Sequence, residues 1–338
     1  MNLLENISLK NYNTFGIDVL AKYFVEISVQ NDLFEIPPLI KSLNVPFLIL
    51  SGGSNILFTK NFEGLVIKIS TKGIKIINED DKYVYLKAEA GEVWDELVQF
   101  CVNNNFGGIE NLSLIPGLVG AAPIQNIGAY GQELKDKFIS IEALNLDNGK
   151  IKNFNNDECK FDYRYSIFKS ELKNKYLITS LTLRLDKFPV INLSYGNVKD
   201  ELMKLNKNDY TIKDVREVIC NIRKSKLPDP KEIGNAGSFF KNPIIDEKKF
   251  EILKKFYPNI PFFISNYNQI KIPAGWLIEQ CNWKGKRIGN VGVHSKQALV
   301  LVNYGNASGE EILELANRIK FDIKNKFDIE LEEEVNLI

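Results

Sequence analysis

Between Ile115 and Gly131 the chain reads Ile-Pro-Gly-Leu-Val-Gly-Ala-Ala-Pro-Ile-Gln-Asn-Ile-Gly-Ala-Tyr-Gly. The stretch is apolar, dense in small residues and free of charge. Such a segment suits a buried loop, and a buried loop strands its amides unless something accepts their hydrogen bonds. Two readings follow. Backbone packs closely on backbone, or a bound group such as a pyrophosphate or a flavin ring takes up the amides. The rest of the fold has to place this loop inside.

A second glycine loop, Ser51-Gly52-Gly53-Ser54-Asn55, follows the apolar run Phe47–Leu50, which predicts a buried strand entering a turn. Glycine amides and serine hydroxyls make an anion nest sensible there. The bland alternative is a tight turn. Neither GxGxxG nor a Walker A pattern occurs. Strands are predicted at Leu65–Ile69 and Tyr83–Ala90, and a helix over Glu92–Asn104 with Trp94, Leu97, Val98 and Cys101 on one face. Asp147-Asn148-Gly149 predicts a hairpin turn. Amphipathic helices are predicted over Thr211–Lys224 and Glu310–Lys326, and a last short strand at Ile329–Leu331. Pro228 and Pro230 stop the first of these helices and mark a domain boundary near residue 226. Strands and helices interleave without a regular βαβ order, so the fold class is α+β.

With 338 residues, two or three domains are expected. Lys plus Arg and Asp plus Glu balance at 43 each, so no basic stripe invites a nucleic acid. Cys101, Cys159, Cys220 and Cys281 are scattered, and His294 is the one histidine, which argues against a metal site and suits a reducing compartment. No leader or bilayer-spanning run is found. A soluble cytoplasmic protein without a membrane partner is expected. Asn235-Ala236-Gly237-Ser238-Phe239-Phe240-Lys241-Asn242-Pro243 gathers a hydroxyl, a lysine and an amide beside aromatics. Ser238 is a candidate proton donor, although a lone serine is more often just part of a polar loop. Without a nearby histidine, a hydrolytic triad is disfavoured.

Taken in order, Asn13–Asp18, Ser51–Asn55, Ile115–Gly131, Tyr163-Arg164-Tyr165-Ser166, Ser225–Pro230, Asn235–Pro243, Ala274–Glu279 and Leu331–Val335 resemble the motifs of the UDP-N-acetylenolpyruvoylglucosamine reductase (MurB) family. Leu193–Asn197 looks like the tyrosine loop of its type I branch. The resemblance covers essentially the whole chain. It implies three domains: 1–72 completed by a C-terminal strand at 327–338, then 73–225, these two forming a vanillyl-alcohol-oxidase-like (PCMH-type) FAD-binding unit, and an α+β substrate domain at 226–326. It implies FAD and NADPH as cofactors. It further implies UDP-N-acetylglucosamine enolpyruvate as the substrate, reduced on the way to peptidoglycan precursor, and a monomeric enzyme.

The same resemblance assigns residues. Ser238, Arg164 and Glu334 are the catalytic set. Ser51, Gly52, Gly53, Ser54 and Asn55 hold FAD with Pro116, Gly117, Gly120, Ala121, Ile124, Asn126, Ile127 and Gly128. Tyr195, Lys226, Asn242 and Gln297 hold the UDP-sugar, and Tyr130 flanks the flavin. The family commonly carries an arginine directly after the final Glu-Val, where Asn336 stands here, and this leaves open how Glu334 is anchored. A flavin-dependent oxidase would share the FAD loops without needing the motifs at 225–230, 235–243 and 331–335 together. A non-catalytic nucleotide-binding protein would not need Ser238, Arg164 and Glu334.

Overall fold

Strands form where the predicted apolar runs lie. Phe47–Leu50 pairs in parallel with Phe62–Ile69 in a four-stranded sheet that also holds Leu20–Ile27 and Leu3–Ser8. Val25, Ile27, Leu65, Ile67 and Ile69 form its buried core with Ile36 of the helix Ile36–Leu43. The computed structural model describes residues 1–193, 196–264 and 269–338. Tyr195 lies outside the described residues.

Contacts gather the chain into two units. The first comprises Met1–Ile7, Ala21–Gly52 and Glu63–Arg223; the second comprises Ser8–Leu20, Gly53–Phe62 and Lys224–Ile338. The chain therefore passes between units inside the Ser51–Asn55 loop.

The first unit also contains a five-stranded antiparallel sheet. Its order is Ile151–Asn155, Phe138–Asn145, Tyr176–Asp186, Tyr83–Glu89, Ile74–Glu79. Asp147-Asn148-Gly149 turns the chain between the first two of these strands as expected, with Gly149 at φ 71° donating to the Asn145 carbonyl. Tyr176–Asp186 is central, and its two most buried polar residues are satisfied: Thr179 Oγ1 donates to the Glu142 carbonyl and Ser180 Oγ to the Glu142 carboxylate. The helix Trp94–Asn103 buries Trp94, Leu97, Val98, Cys101 and Val102. Each large apolar side chain so buried contributes about 1.5–3 kcal/mol. The helix starts two residues later than the periodicity suggests. Val93 bridges Leu118, and the Glu92 carboxylate accepts the Gly73 amide, so both are already committed. The helix Ile212–Lys226 turns Val215, Val218, Ile219 and Ile222 onto Val198 and Leu202.

In the second unit the strand order is Gly234–Ser238, Val300–Asn303, Val291–Val293, Arg287–Ile288, all antiparallel. The helix Gly309–Phe327 is started by a capping box between Ser308 and Glu311 and buries Ile312, Leu315, Ala316, Ile319 and Ile323. Asn13 is 7% exposed and spends its whole amide on its own loop, donating to the Leu9 and Ile17 carbonyls and accepting the Ile17 amide. That loop in turn holds the neighbouring strands. The Thr14 carbonyl accepts the Asn235 amide at 2.9 Å, and the Phe15 carbonyl accepts Asn303 Nδ2 at 2.9 Å.

The expected strand at Ile329–Leu331 does not form. Ile329 and Leu331 are buried and Glu330 is exposed, so the alternation is real, but among the described residues no neighbouring strand offers a ladder there. The last strand is Asn336–Leu337, parallel to Ile56–Leu57. Among the described residues no helix is long and apolar enough to cross a membrane.

Candidate active site

The loop from Ile115 to Gly131 is held along Ala90–Asp95. Trp94 N donates to the Gly117 carbonyl at 3.1 Å, Val119 N to Glu92 at 2.8 Å and Gly120 N to Ala90 at 2.9 Å. Leu114, at φ 55°, gives its amide to Asp95 Oδ1 at 2.6 Å. Asp95 is gripped by both terminal nitrogens of the Arg216 guanidinium, at 2.7 and 2.9 Å. Burial pushes the Asp95 carboxyl up, but these bonds outweigh it and hold the group below its ordinary range.

Glycine is required where this loop meets its neighbours. A Cβ on Gly52 would stand 3.0 Å from the Gly117 Cα, which sets the Ser51-Gly52 turn against the long loop. A Cβ on Gly120 would stand 2.7 Å from that of Ala90, and one on Gly91 would stand 2.5 Å from the Thr71 amide. The Ser51–Gly52 turn, the long loop and Thr71 thus share one neighbourhood. Among the described residues Ser51 Oγ, Thr71 Oγ1, Asn111 Oδ1 and Arg223 Nε are buried without a hydrogen-bond partner. Burial lowers the Arg223 guanidinium from its ordinary value, opposed by Tyr130, Asp95 and Cys220.

The Tyr163–Ser166 motif closes the far end of the loop. Ser166 is fully buried and donates to the Ile124 carbonyl at 2.7 Å, while Arg164 Nη2 donates to the Gly128 carbonyl at 2.8 Å. Arg164 itself sits in the left-handed region at φ 52°. Asn126 is fully buried. Its Nδ2 donates to Glu133 and to the Asp162 carbonyl, and its Oδ1 accepts the Lys135 amide, so its side chain is committed to the protein.

The second unit brings together Ser238, Asn242, Gln297 and Glu334. Ser238 ends its strand opposite Val300, beyond an irregularity in the register and next to Gly237 at φ 70°. The next residues pair with the C-terminal segment: Phe240 bridges Glu333, Lys241 N donates to the Glu332 carbonyl at 2.9 Å and Glu334 N to Phe239 at 2.8 Å. Asn242 Oδ1 accepts the Ala274 amide at 2.9 Å. Gln297 Oε1 accepts the Leu299 amide at 3.4 Å, and Phe239 N donates to the Leu299 carbonyl. Lys226 is exposed, two residues before the Pro228 carbonyl that accepts Asn235 Nδ2.

A family profile for the C-terminal domain of UDP-N-acetylenolpyruvoylglucosamine reductase matches residues 229–338, and one for an FAD binding domain matches residues 21–155. The chain is 50% identical, over 100% of both chains, to the UDP-N-acetylenolpyruvoylglucosamine reductase of Flavobacterium johnsoniae. The chain belongs to the UDP-N-acetylenolpyruvoylglucosamine reductase family. The Pseudomonas aeruginosa enzyme of that name is 45% identical over 100% of this chain and 99% of its own. In fold, the chain is similar to the MurB crystal structure from Thermus caldophilus, with a TM-score of 0.66 at 22% identity over 99% and 98% of the two chains.

Membership of the reductase family explains the order of the motifs, but Asp95, Arg216 and Arg223 escape motif reading. Arg216 and Arg223 lie two helical turns apart on one face of Ile212–Lys226. That spacing is the signal available in sequence, and it looks like an ordinary solvated stripe until Asp95 and Tyr130 are seen opposite.

Proposed function

We propose that the chain reduces UDP-N-acetylglucosamine enolpyruvate to UDP-N-acetylmuramate, with FAD as cofactor and NADPH as hydride source, in the cytoplasm as a monomer supplying peptidoglycan synthesis. The observation that carries this is full-length identity of 50% to a reductase of that name, together with the Glu334 amide bonded to the Phe239 carbonyl next to Ser238. Residues 1–72 with 327–338, and 73–225, make up the flavin-binding part in the vanillyl-alcohol-oxidase manner, and 226–326 receives the UDP-sugar.

The residues present fit a flavin nucleotide. Among the described residues Ser51 Oγ and Thr71 Oγ1 are buried polar atoms with no hydrogen-bond partner, near backbone that approaches too closely for a side chain at Gly52, Gly91 or Gly120, and Arg223 Nε is a further such atom in the same unit. Ser51, Gly52, Gly53, Ser54 and Asn55 would hold the cofactor with Pro116, Gly117, Gly120, Ala121, Ile124, Ile127 and Gly128. Asn126 would act by shaping the loop. When bound, FAD supplies hydride transfer from NADPH to C3 of the enolpyruvyl group.

The chain's own residues handle charge and proton. Arg164 offers a fixed cationic fork to the enolpyruvyl carboxylate, where negative charge develops. Ser238 gives its hydroxyl proton to C2, a step that works only for a strongly basic carbon held close. Glu334 orients that proton path. Asn242 spends its Oδ1 on the Ala274 amide, so its NH2 is the group that binds the sugar diphosphate, alongside Gln297 and Lys226. Tyr195 covers the same group.

An anaerobic titration tests this. Adding NADPH should bleach the flavin, and adding the enolpyruvyl substrate should restore the colour. In Ser238→Ala the bleaching should persist and the recovery should slow by a factor of at least about 100, the lower range for general acid catalysis. Normal recovery in that variant would remove Ser238 from the chemistry. A protein that cannot be loaded with FAD would sink the whole assignment.

A further inference from the structure

Glu334 lies at a joint. On its N-terminal side, Glu333 bridges Phe240; on its C-terminal side, Asn336 and Leu337 pair in parallel with Ile56 and Leu57. At Glu334 the chain leaves one neighbour for another, and no strand ladder spans the change. The direction of its side chain therefore depends on what holds its two flanking peptides.

Both are held. The Glu334 amide donates to the Phe239 carbonyl at 2.8 Å, next to Ser238. The Glu334 carbonyl accepts Asn55 Nδ2 at 3.2 Å. Asn55 is in turn fixed by the tail that it holds. Its carbonyl accepts Asn336 N at 3.1 Å and Asn336 Nδ2 at 2.9 Å. Beyond it, Ile338 N donates to Leu57 at 3.0 Å, and Thr59 N and Oγ1 donate to the Ile338 carbonyl at 2.7 and 2.8 Å. These three hydrogen bonds, one given by Asn55 and two by Asn336, close a reciprocal clasp on either side of Val335.

We propose that Asn55 and Asn336 are positioning residues for Glu334: together they lock the peptide on its C-terminal side, as the bond to Phe239, the neighbour of Ser238, holds the one on its N-terminal side. The clasp accounts for the asparagine at 336. A short amide turns back onto the Asn55 carbonyl, adding to the backbone bond a second donor that an apolar side chain lacks. It also gives Asn55 a task separate from the cofactor, because the bond to Glu334 runs through its side chain while the turn it ends is made of glycine and serine.

The inference rests on the assignment of Glu334 to the active site. Asn336→Ala and Asn55→Ala would be compared with the parent protein, all loaded with FAD, by hydrogen exchange over residues 332–338 and by single-turnover rates of the two half-reactions. In Asn336→Ala, flavin content and bleaching by NADPH should be unchanged. Recovery on adding enolpyruvyl substrate should slow about fivefold, the scale of one lost hydrogen bond, and the amides of Glu334 and Asn336 should exchange faster. Asn55→Ala should change the same two readouts in the same direction, and more strongly. Faster exchange with normal recovery would overturn the proposal, leaving the clasp a structural end-tie only. Unchanged exchange in both variants would overturn it too. If the parent protein runs neither half-reaction, the assigned function fails, and the exchange rates alone then decide whether the clasp exists.

Discussion

Ser51 carries a hydroxyl that is buried and has no hydrogen-bond partner among the described residues. In a protein without a ligand, such a group is destabilising, since it has lost water and gained nothing. Ser51→Ala should therefore leave the melting temperature of the FAD-free protein unchanged or raise it. The same change should weaken FAD binding by about fivefold, the scale of one hydrogen bond. The two effects have opposite signs, which separates a cofactor contact from a packing residue. A melting curve of the stripped protein and a flavin fluorescence titration check them. Lower stability with unchanged affinity would mean that the hydroxyl serves the protein alone. The Ser51–Asn55 turn was legible in sequence because glycines follow an apolar run. That its first hydroxyl would be left unpaired was not, because satisfaction depends on what folds over it. Asn13 makes the same point in reverse. It stands in one of the motifs that carry the family resemblance, and its amide is wholly spent inside its own loop.

Helices and strands were legible where one periodicity dominates. Phe47–Leu50 and the two long amphipathic helices fall where their apolar residues place them. The failure at Ile329–Leu331 is of a different kind. Alternation reports which side chains are buried, whereas a strand also needs a partner edge, and a single sequence does not contain the partner. The long loop presents the same difficulty, since it is pinned by helices remote in sequence. Arg216 and Asp95 are 10% and 24% exposed in their side chains and join the helices Ile212–Lys226 and Trp94–Asn103. Arg216→Ala leaves the Asp95 carboxylate half-buried and without its cation, and at neutral pH should destabilise the protein by about 2 kcal/mol, below the range for fully buried pairs because water reaches the site. The pH dependence has a definite sign. Asp95 titrates below its ordinary 3.8 when folded, so its contribution is complete above that value and is lost as pH falls through the depressed one. The gap in urea midpoint between parent and variant should thus be widest near neutrality and close below pH 3.8. A gap of constant size across that window would assign the effect to lost packing of the arginine stem.

At the scale of the whole molecule, connectivity decides what can be cut. The proline break near residue 226 invites treating the remainder of the chain as a separable domain. The second unit, however, also includes Ser8–Leu20 and Gly53–Phe62. These are not decoration. The Thr14 carbonyl holds the Asn235 amide, the Phe15 carbonyl holds Asn303, and Ile56 and Leu57 pair with the final strand. Without them the fragment 224–338 leaves at least those groups unpaired and exposes the buried face that Phe15 and Phe58 cover, each at most 1% exposed in the intact chain. A fully buried phenylalanine contributes up to about 3 kcal/mol, so two of them account for a large part of the 5–15 kcal/mol that typically separates folded from unfolded domains. The fragment should show poor amide dispersion and no cooperative melting. Joining residues 8–20 and 53–62 to it through flexible linkers should restore both. A well-dispersed spectrum from residues 224–338 alone would mean that their own core suffices, and that the two interleaved segments serve the site at Glu334 without being needed for the fold around it.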